Sequence, residues 1–476
     1  MTSSSTQKFS LWTLTAMVVG SMVGAGIFSL PQSFGRVTGG FGSLIAWAIA
    51  GVGMLMLALV FQTLARRKPE LDAGVYAYAK AGFGNYWGFL SALGYWAGSC
   101  IGNVSYFVLI KSTLGAFFPI FGEGNTLPAV IISSIILWLV QFLILRGVKQ
   151  AAVLNTIVTI AKIVPIFIFI ILVALGFKAG VFRANFWGGG SYDLGNIFSQ
   201  VRGTMLVSVF VFLGVEGASV YSRYAKNRKD VGVATVMGFL GVLCLMILVT
   251  TLSFGVLPRA DLAGLRNPSM AGVLEAVVGR WGLIFVSAGL IISVLGAYLA
   301  WTMLSAEVLF SAAETDTMPS FLAHQNAKGV PAAALWLTAI MVQIFLIFTL
   351  FAQYAFTLAL ELTSSLNLIP YFLVAAYALK LVCTGETYAA EPQQRRRDMI
   401  LAGLAVVYTG WLLFAAGTKY LLLSAVIYGP GTILFFLARR ERQERIFTAP
   451  ERFAFVAASL AAVVAIWALA SGAISI

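Results

Sequence analysis

The stretch GSMVGAGIFSL, residues 20–30, lies inside the first apolar run of the chain, and Pro31 follows it. Glycine in a helix interior costs about 1 kcal/mol relative to alanine. A segment that only had to cross lipid would gain nothing from Gly20, Gly24 and Gly26. Within a membrane, backbone departs from helix only where protein or water satisfies the freed N–H and C=O groups. The stretch therefore predicts a deliberately broken span whose backbone groups are open to a ligand. The competing reading is close helix packing through small residues, which Gly20 and Gly24 fit at their spacing of four.

The rest of the chain places this stretch in lipid. Of 476 residues, 60% are hydrophobic and 10% charged, with a mean hydropathy of +0.92; soluble domains are about 25% charged. Thirteen apolar runs reach the length of about 20 residues that a spanning helix needs. They fall near 11–34, 40–64, 84–111, 128–146, 151–177, 198–222, 232–257, 281–313, 331–351, 354–380, 398–417, 420–438 and 453–473. The stretch 398–438 reads as two helices parted at Gly417-Thr418-Lys419. The fold class expected is an all-α polytopic membrane protein.

The net charge of +13 does not mark a nucleic-acid binder, because the cations sit in short loops between apolar runs. With the N-terminus placed inside, 21 of the 31 Lys and Arg fall on the inner side, nine on the outer side, and Lys162 in mid-span. That asymmetry predicts a cytoplasmic N-terminus, and thirteen spans would leave the C-terminus outside. Cys100, Cys244 and Cys383 have no metal-ligand spacing and read as small core residues. No cleavable leader is read in MTSSSTQKFS. No soluble domain, nucleotide loop or catalytic constellation is seen, so no metal, cofactor or enzymatic activity is expected.

A second weak point lies five runs after the first. FLGVEGAS, residues 212–219, puts Gly214 and Gly217 around Glu216. Matched breaks in the first and sixth spans are what two inverted five-helix repeats produce. Buried ionisable groups are rare and mark function. Glu216 reads as a coupling or gating group, or else as a protonated packed carboxyl. Lys162, in TIAKIVPIF, must be paired, coordinated by carbonyls or neutralised. In YWAGSCIGNVSYF, Tyr95, Ser99, Asn103 and Tyr106 share one helix face, made shallow by Gly98 and Gly102. Glu361, in LALELTSSLNLIPY, stands either at the mouth of a cavity or within it, where it would attract a cationic side chain.

GSMVGAGIFSLP at 20–31 and FLGVEGASVYSRYAKN at 212–227 resemble the amino acid–polyamine–organocation transporters. Their basic amino acid/polyamine antiporter branch is the nearest. The resemblance covers spans 1 to 12 and implies a LeuT-type fold of two inverted repeats, 11–177 and 198–380, with accessory helices over 398–476 in one domain. It implies alternating-access exchange of basic amino acids, arginine inward and ornithine outward, in a bacterial inner membrane. A proton-coupled permease or an amino acid/amine exchanger is the alternative. The expected partners are cationic amino acids and the bilayer, with a homodimer left open.

The same resemblance implies a role for each site residue. Backbone at Val23, Gly24, Ala25, Gly26 and Ile27, with Leu213, is expected to hold the substrate backbone. Gly98, Ser99 and Asn103 would line the side-chain pocket, and Phe210 and Trp301 would sandwich it. Glu216 would form an inner gate with Tyr95 and Tyr371, while Lys162 takes the place where relatives bind sodium. Members usually have twelve spans, so the thirteenth run departs from the pattern.

Overall fold

The structure is a computed structural model that describes residues 10–71, 74–147, 151–189, 191–216, 228–389 and 391–474. It is helical throughout, with no strand among the described residues. The first apolar run is broken. Helix α1 (Leu11–Met22) stops, one 3₁₀ turn covers Gly26–Ser29, and α2 (Leu30–Val37) resumes with Pro31 in its first turn. The two halves meet at 46°. Proline fits there because its missing N–H is one that the first turn leaves unpaired anyway.

After α3 (Gly40–Arg67) the chain makes a short helix, α4 (Val75–Phe83), and then the long α5 (Asn85–Gly115). The apolar stretch of α5 is buried along its whole length. Its small residues permit this, since a Cβ at Gly98 would stand 2.5 Å from Asn367 Nδ2. Next come α6 (Leu127–Leu145) and α7 (Ala151–Leu175), and the short α8 (Ala179–Asn185) turns away from α7 at 101°.

The sixth run begins as α9 (Leu194–Phe212). It ends where Leu213 adopts extended ψ and Gly214 takes φ +101°, a left-handed conformation open to glycine. Gly217, the expected second flank, lies outside the described residues. The chain continues through α10 (Arg228–Ser253), α11 (Arg259–Gly264), α12 (Ser269–Val278), α13 (Arg280–Glu314), α14 (Ala332–Phe348) and α15 (Ala355–Thr384). Helix α16 (Pro392–Glu441) has non-helical backbone at Gly417 (φ 70°, ψ 170°), which divides it at the point the sequence marks. Helix α17 (Ala449–Ala470) closes the chain.

Helices α13 and α15 flank α5, and α1 packs on α10. Side chains on the rim, such as Leu139, Phe453 and Trp467, are exposed, as lipid-facing residues are. Cys100 is buried as expected, but Cys244 and Cys383 are exposed. Reading them as core residues was wrong, because an apolar run in lipid carries no signal for which of its faces is inward.

Arg67 bonds Glu391 at 2.7 Å and lies 3.4 Å from Asp398, and Lys68 reaches Glu386 at 2.5 Å. On the other side, the long connection between α10 and α13 folds back over the broken helix. Asn267 Nδ2 donates to Gln32 Oε1 at 2.7 Å, the Gln32 N–H donates to Ser269 Oγ at 3.0 Å, and Arg259 Nε donates to the Gly35 carbonyl at 3.0 Å. Helix α2 is thereby pinned along its length, from Gln32 in its first turn to Gly35. The last helix is tied in by one carboxyl. Glu451, in the first turn of α17, caps its own helix through Thr448 and also accepts from the Tyr86 N–H at the start of α5 at 2.8 Å.

Candidate functional site

The two breaks meet. Ser21 Oγ donates to the Gly214 carbonyl at 3.0 Å and to the Val18 carbonyl at 2.8 Å. Gly214 permits that approach, because a Cβ there would lie 2.7 Å from the Ser21 carbonyl oxygen. Beside the contact, a narrow cavity runs between α1, α5, α9, α13 and α15. At the first break it is walled by Ser21, Met22, Gly24, Ala25 and Gly26. Across from these stand Phe210, Val211 and Leu213 of the second break, with Trp301 of α13. Ser99, Gly102 and Tyr106 of α5 and Thr363 and Asn367 of α15 complete the wall.

The ends of this cavity differ in chemistry. Among the described residues, no hydrogen bond engages the N–H groups of Gly24, Ala25, Gly26 or Ile27. Four unpaired donors at the head of a half-helix, three of them on residues of the cavity wall, make an anion seat, reinforced by the helix dipole. Gly26 is tight: a Cβ there would come within 2.6 Å of Val211 Cγ1 and 2.9 Å of the Phe210 ring. On the α15 side the wall presents oxygen. Thr363 Oγ1, Asn367 Oδ1 and, behind them, Asn103 Oδ1 are buried without hydrogen-bond partners. Buried oxygens are rarely left so unless a ligand or water completes them.

Beyond the cavity, three side chains converge. Tyr95 Oη donates to Glu216 Oε1 at 2.7 Å, and Tyr371 Oη donates to Glu216 Oε2 at 2.9 Å. The Gly214 N–H also donates to Oε2, at 3.2 Å. All three side chains are buried. The carboxyl therefore ties α5 and α15 to the unwound end of α9. On the other side of the first break, Lys162 Nζ donates to the Gly20 carbonyl at 2.9 Å. The buried ammonium thus takes a carbonyl that the weakened helix leaves available, and α7, which carries it, packs on α13.

The amino acid permease family model matches residues 9–428. The chain belongs to that family. This permease is 54% identical to the arginine/ornithine antiporter of Pseudomonas aeruginosa, covering 99% of each chain. It is 43% identical to the L-lysine transport protein of Corynebacterium glutamicum over 98% of its own length and 96% of the relative's. It is 44% identical to a putative arginine/ornithine antiporter of Escherichia coli K12, over 91% and 93% respectively. The permease is a multi-pass helical membrane protein and a transporter of amino acids, not an enzyme.

Of the expected site residues, Gly24, Ala25, Gly26, Ser99, Phe210, Leu213 and Trp301 face the cavity. Val23 and Ile27 are fully buried and do not form its wall. Gly98 abuts Asn367 and the Thr363 carbonyl, so it seats α15 against α5 rather than lining the space. Asn103 sits one layer back, its Nδ2 donating to Thr302 Oγ1 at 3.3 Å. Glu361 lies apart from the cavity, beside Tyr420, with Lys419 and Arg36 as its neighbouring charges. Met22, Val211, Thr363 and Asn367 line the cavity without having been expected there. A signal for two of them was present, because Thr363, Asn367 and Tyr371 form one row at spacings of four on α15.

Proposed function

We propose that this permease exchanges basic amino acids, arginine for ornithine, by alternating access. One observation carries the reading: a single cavity with open N–H groups at one end and partnerless oxygens at the other. A basic amino acid is complementary to both ends. Its carboxylate accepts from the broken helix, and its guanidinium or ammonium, which only donates, meets Thr363 and Asn367. The likeness to relatives named for arginine and ornithine supports the same substrates.

The coupling arises from the groups around the breaks. Glu216, Tyr95 and Tyr371 act as the gate on the side of the arginine-rich loops. Lys162 occupies the place of a sodium ion, so exchange runs without sodium. The helices divide into inverted repeats over 11–177 and 198–380, with the later helices as accessories. The permease resides in a bacterial inner membrane with its N-terminus in the cytoplasm. Thirteen spans, if the last apolar run crosses, would leave the C-terminus outside.

Purified protein in vesicles preloaded with unlabelled ornithine tests this. Labelled arginine should enter by counterflow with no proton gradient, and at an unchanged rate when choline replaces sodium. Uptake that requires a proton gradient and ignores the internal load would replace exchange by proton-coupled import. A strict sodium requirement would remove the role given to Lys162.

A further inference from the structure

Four hydroxyls stand on the cavity wall, and two are already engaged. Ser21 Oγ serves the Val18 and Gly214 carbonyls, and Ser99 Oγ donates to the Tyr95 carbonyl at 2.8 Å. Thr363 Oγ1 and Tyr106 Oη have no hydrogen bond among the described residues. Thr363 belongs with Asn367 at the oxygen-rich end. Tyr106 belongs to the other end. Its Oη lies 3.5 Å from where a Cβ on Gly24 would stand, and that Cβ would meet no other atom within 4 Å. The hydroxyl therefore overhangs the open space directly above the broken helix.

The break itself offers no side-chain donor, because Gly24, Ala25 and Gly26 carry none. Ser29, just beyond, spends its Oγ on the Gly26 carbonyl at 2.8 Å. Among the described residues, Tyr106 is thus the one side-chain hydroxyl left open beside the four free N–H groups.

We infer that Tyr106 donates to the substrate carboxylate together with the N–H groups of the break, and thereby makes the permease select amino acids over their decarboxylated amines. The inference rests on the exchange reading above. An amine such as agmatine or putrescine keeps the cation but brings no acceptor to this end. Tyr106 Oη and the four N–H groups would then be dehydrated without partners, a loss that sites built around hydrogen bonds turn into strong discrimination. An amino acid satisfies all of them at once.

The test is competition against labelled arginine by arginine, ornithine, agmatine and putrescine. It is run in proteoliposomes of the parent and of Tyr106→Phe, which keeps the ring. Arginine and ornithine should weaken about tenfold, the size expected for one hydrogen bond to a charged group, while the two amines stay as they were. The preference for amino acids then narrows by the same factor. Tyr106→Met removes the hydroxyl with a different shape and should narrow the preference in the same direction. Thr363→Val serves as the contrast and should weaken acids and amines alike. Equal losses for acids and amines in Tyr106→Phe would mean that the hydroxyl accepts from the shared ammonium or only packs, and would overturn the inference. Unchanged affinities throughout would overturn it as well. A parent protein that binds neither arginine nor ornithine would instead refute the exchange reading on which it rests.

Discussion

Ser21 and Gly214, 193 positions apart in the chain, are joined by a 3.0 Å hydrogen bond from the serine hydroxyl to the glycine carbonyl. The bond joins two interrupted helices at the points where each is weakest. A break in a span exposes backbone that lipid cannot satisfy. Here each break supplies part of what the other lacks, and the groups left over face a common cavity. Substrate that completes those groups acts on both helices together, which gives binding a mechanical handle on the gate.

Gly26 and Gly214 should respond differently to substitution. Gly26→Val places methyl groups where Val211 and the Phe210 ring already stand, an overpacking cost of about 1–3 kcal/mol. Side chains can give way there, so the protein should insert and purify normally and lose most of its arginine binding. Gly214→Ala combines φ +101° with backbone contact at 2.7 Å, and left-handed geometry adds about 1–2 kcal/mol for a residue with a Cβ. It should lower the melting temperature in detergent as well as transport. Normal affinity in well-folded Gly26→Val would remove the broken helix from the binding site.

The Glu216 trio should govern turnover rather than affinity. Glu216→Gln puts an amide N–H₂ where a carboxyl oxygen accepted, so either one tyrosine turns from donating to accepting or a bond is lost. Exchange should fall about tenfold or more, while equilibrium arginine affinity stays within about twofold, because one buried hydrogen bond to a charged group is worth about 1.5–3 kcal/mol. Tyr95→Phe and Tyr371→Phe remove donors from the two oxygens of one carboxyl. Their effects on exchange should be non-additive by about 0.5–3 kcal/mol, as for residues sharing a network. Affinity losses matching the exchange losses would move the trio from gate to binding site.

Glu361 should leave substrate ranking alone. Its neighbours are Tyr420, Lys419 and Arg36 rather than the cavity. Glu361→Gln should keep the order of competition among arginine, ornithine, lysine, citrulline and glutamine, with absolute affinities within about twofold, since it removes no cavity contact. A selective rise in the affinity of citrulline and glutamine relative to arginine would return the residue to the substrate path.

The sequence alone determined the features set by solvent and by local backbone cost. Long apolar runs had to be spans, and glycines at 24, 26 and 214 had to mark weak helix, because both consequences are written within a few residues of their cause. The partition of Lys and Arg between loops was legible for the same reason. The pairing of Glu216 with Tyr95 and Tyr371 was reached only through a family resemblance, since no local rule brings positions 95, 216 and 371 together. What tertiary structure decided was which face of each span looks inward. Lipid-facing and protein-facing sides of a span are almost equally apolar, so hydropathy could not put Asn367 and Val211 on the cavity, Gly98 and Asn103 behind its wall, or Glu361 beside Tyr420. Those placements depend on how α5, α9 and α15 rotate against one another. That rotation is set by close contacts between small residues and long-range partners, which a reading along the chain does not contain.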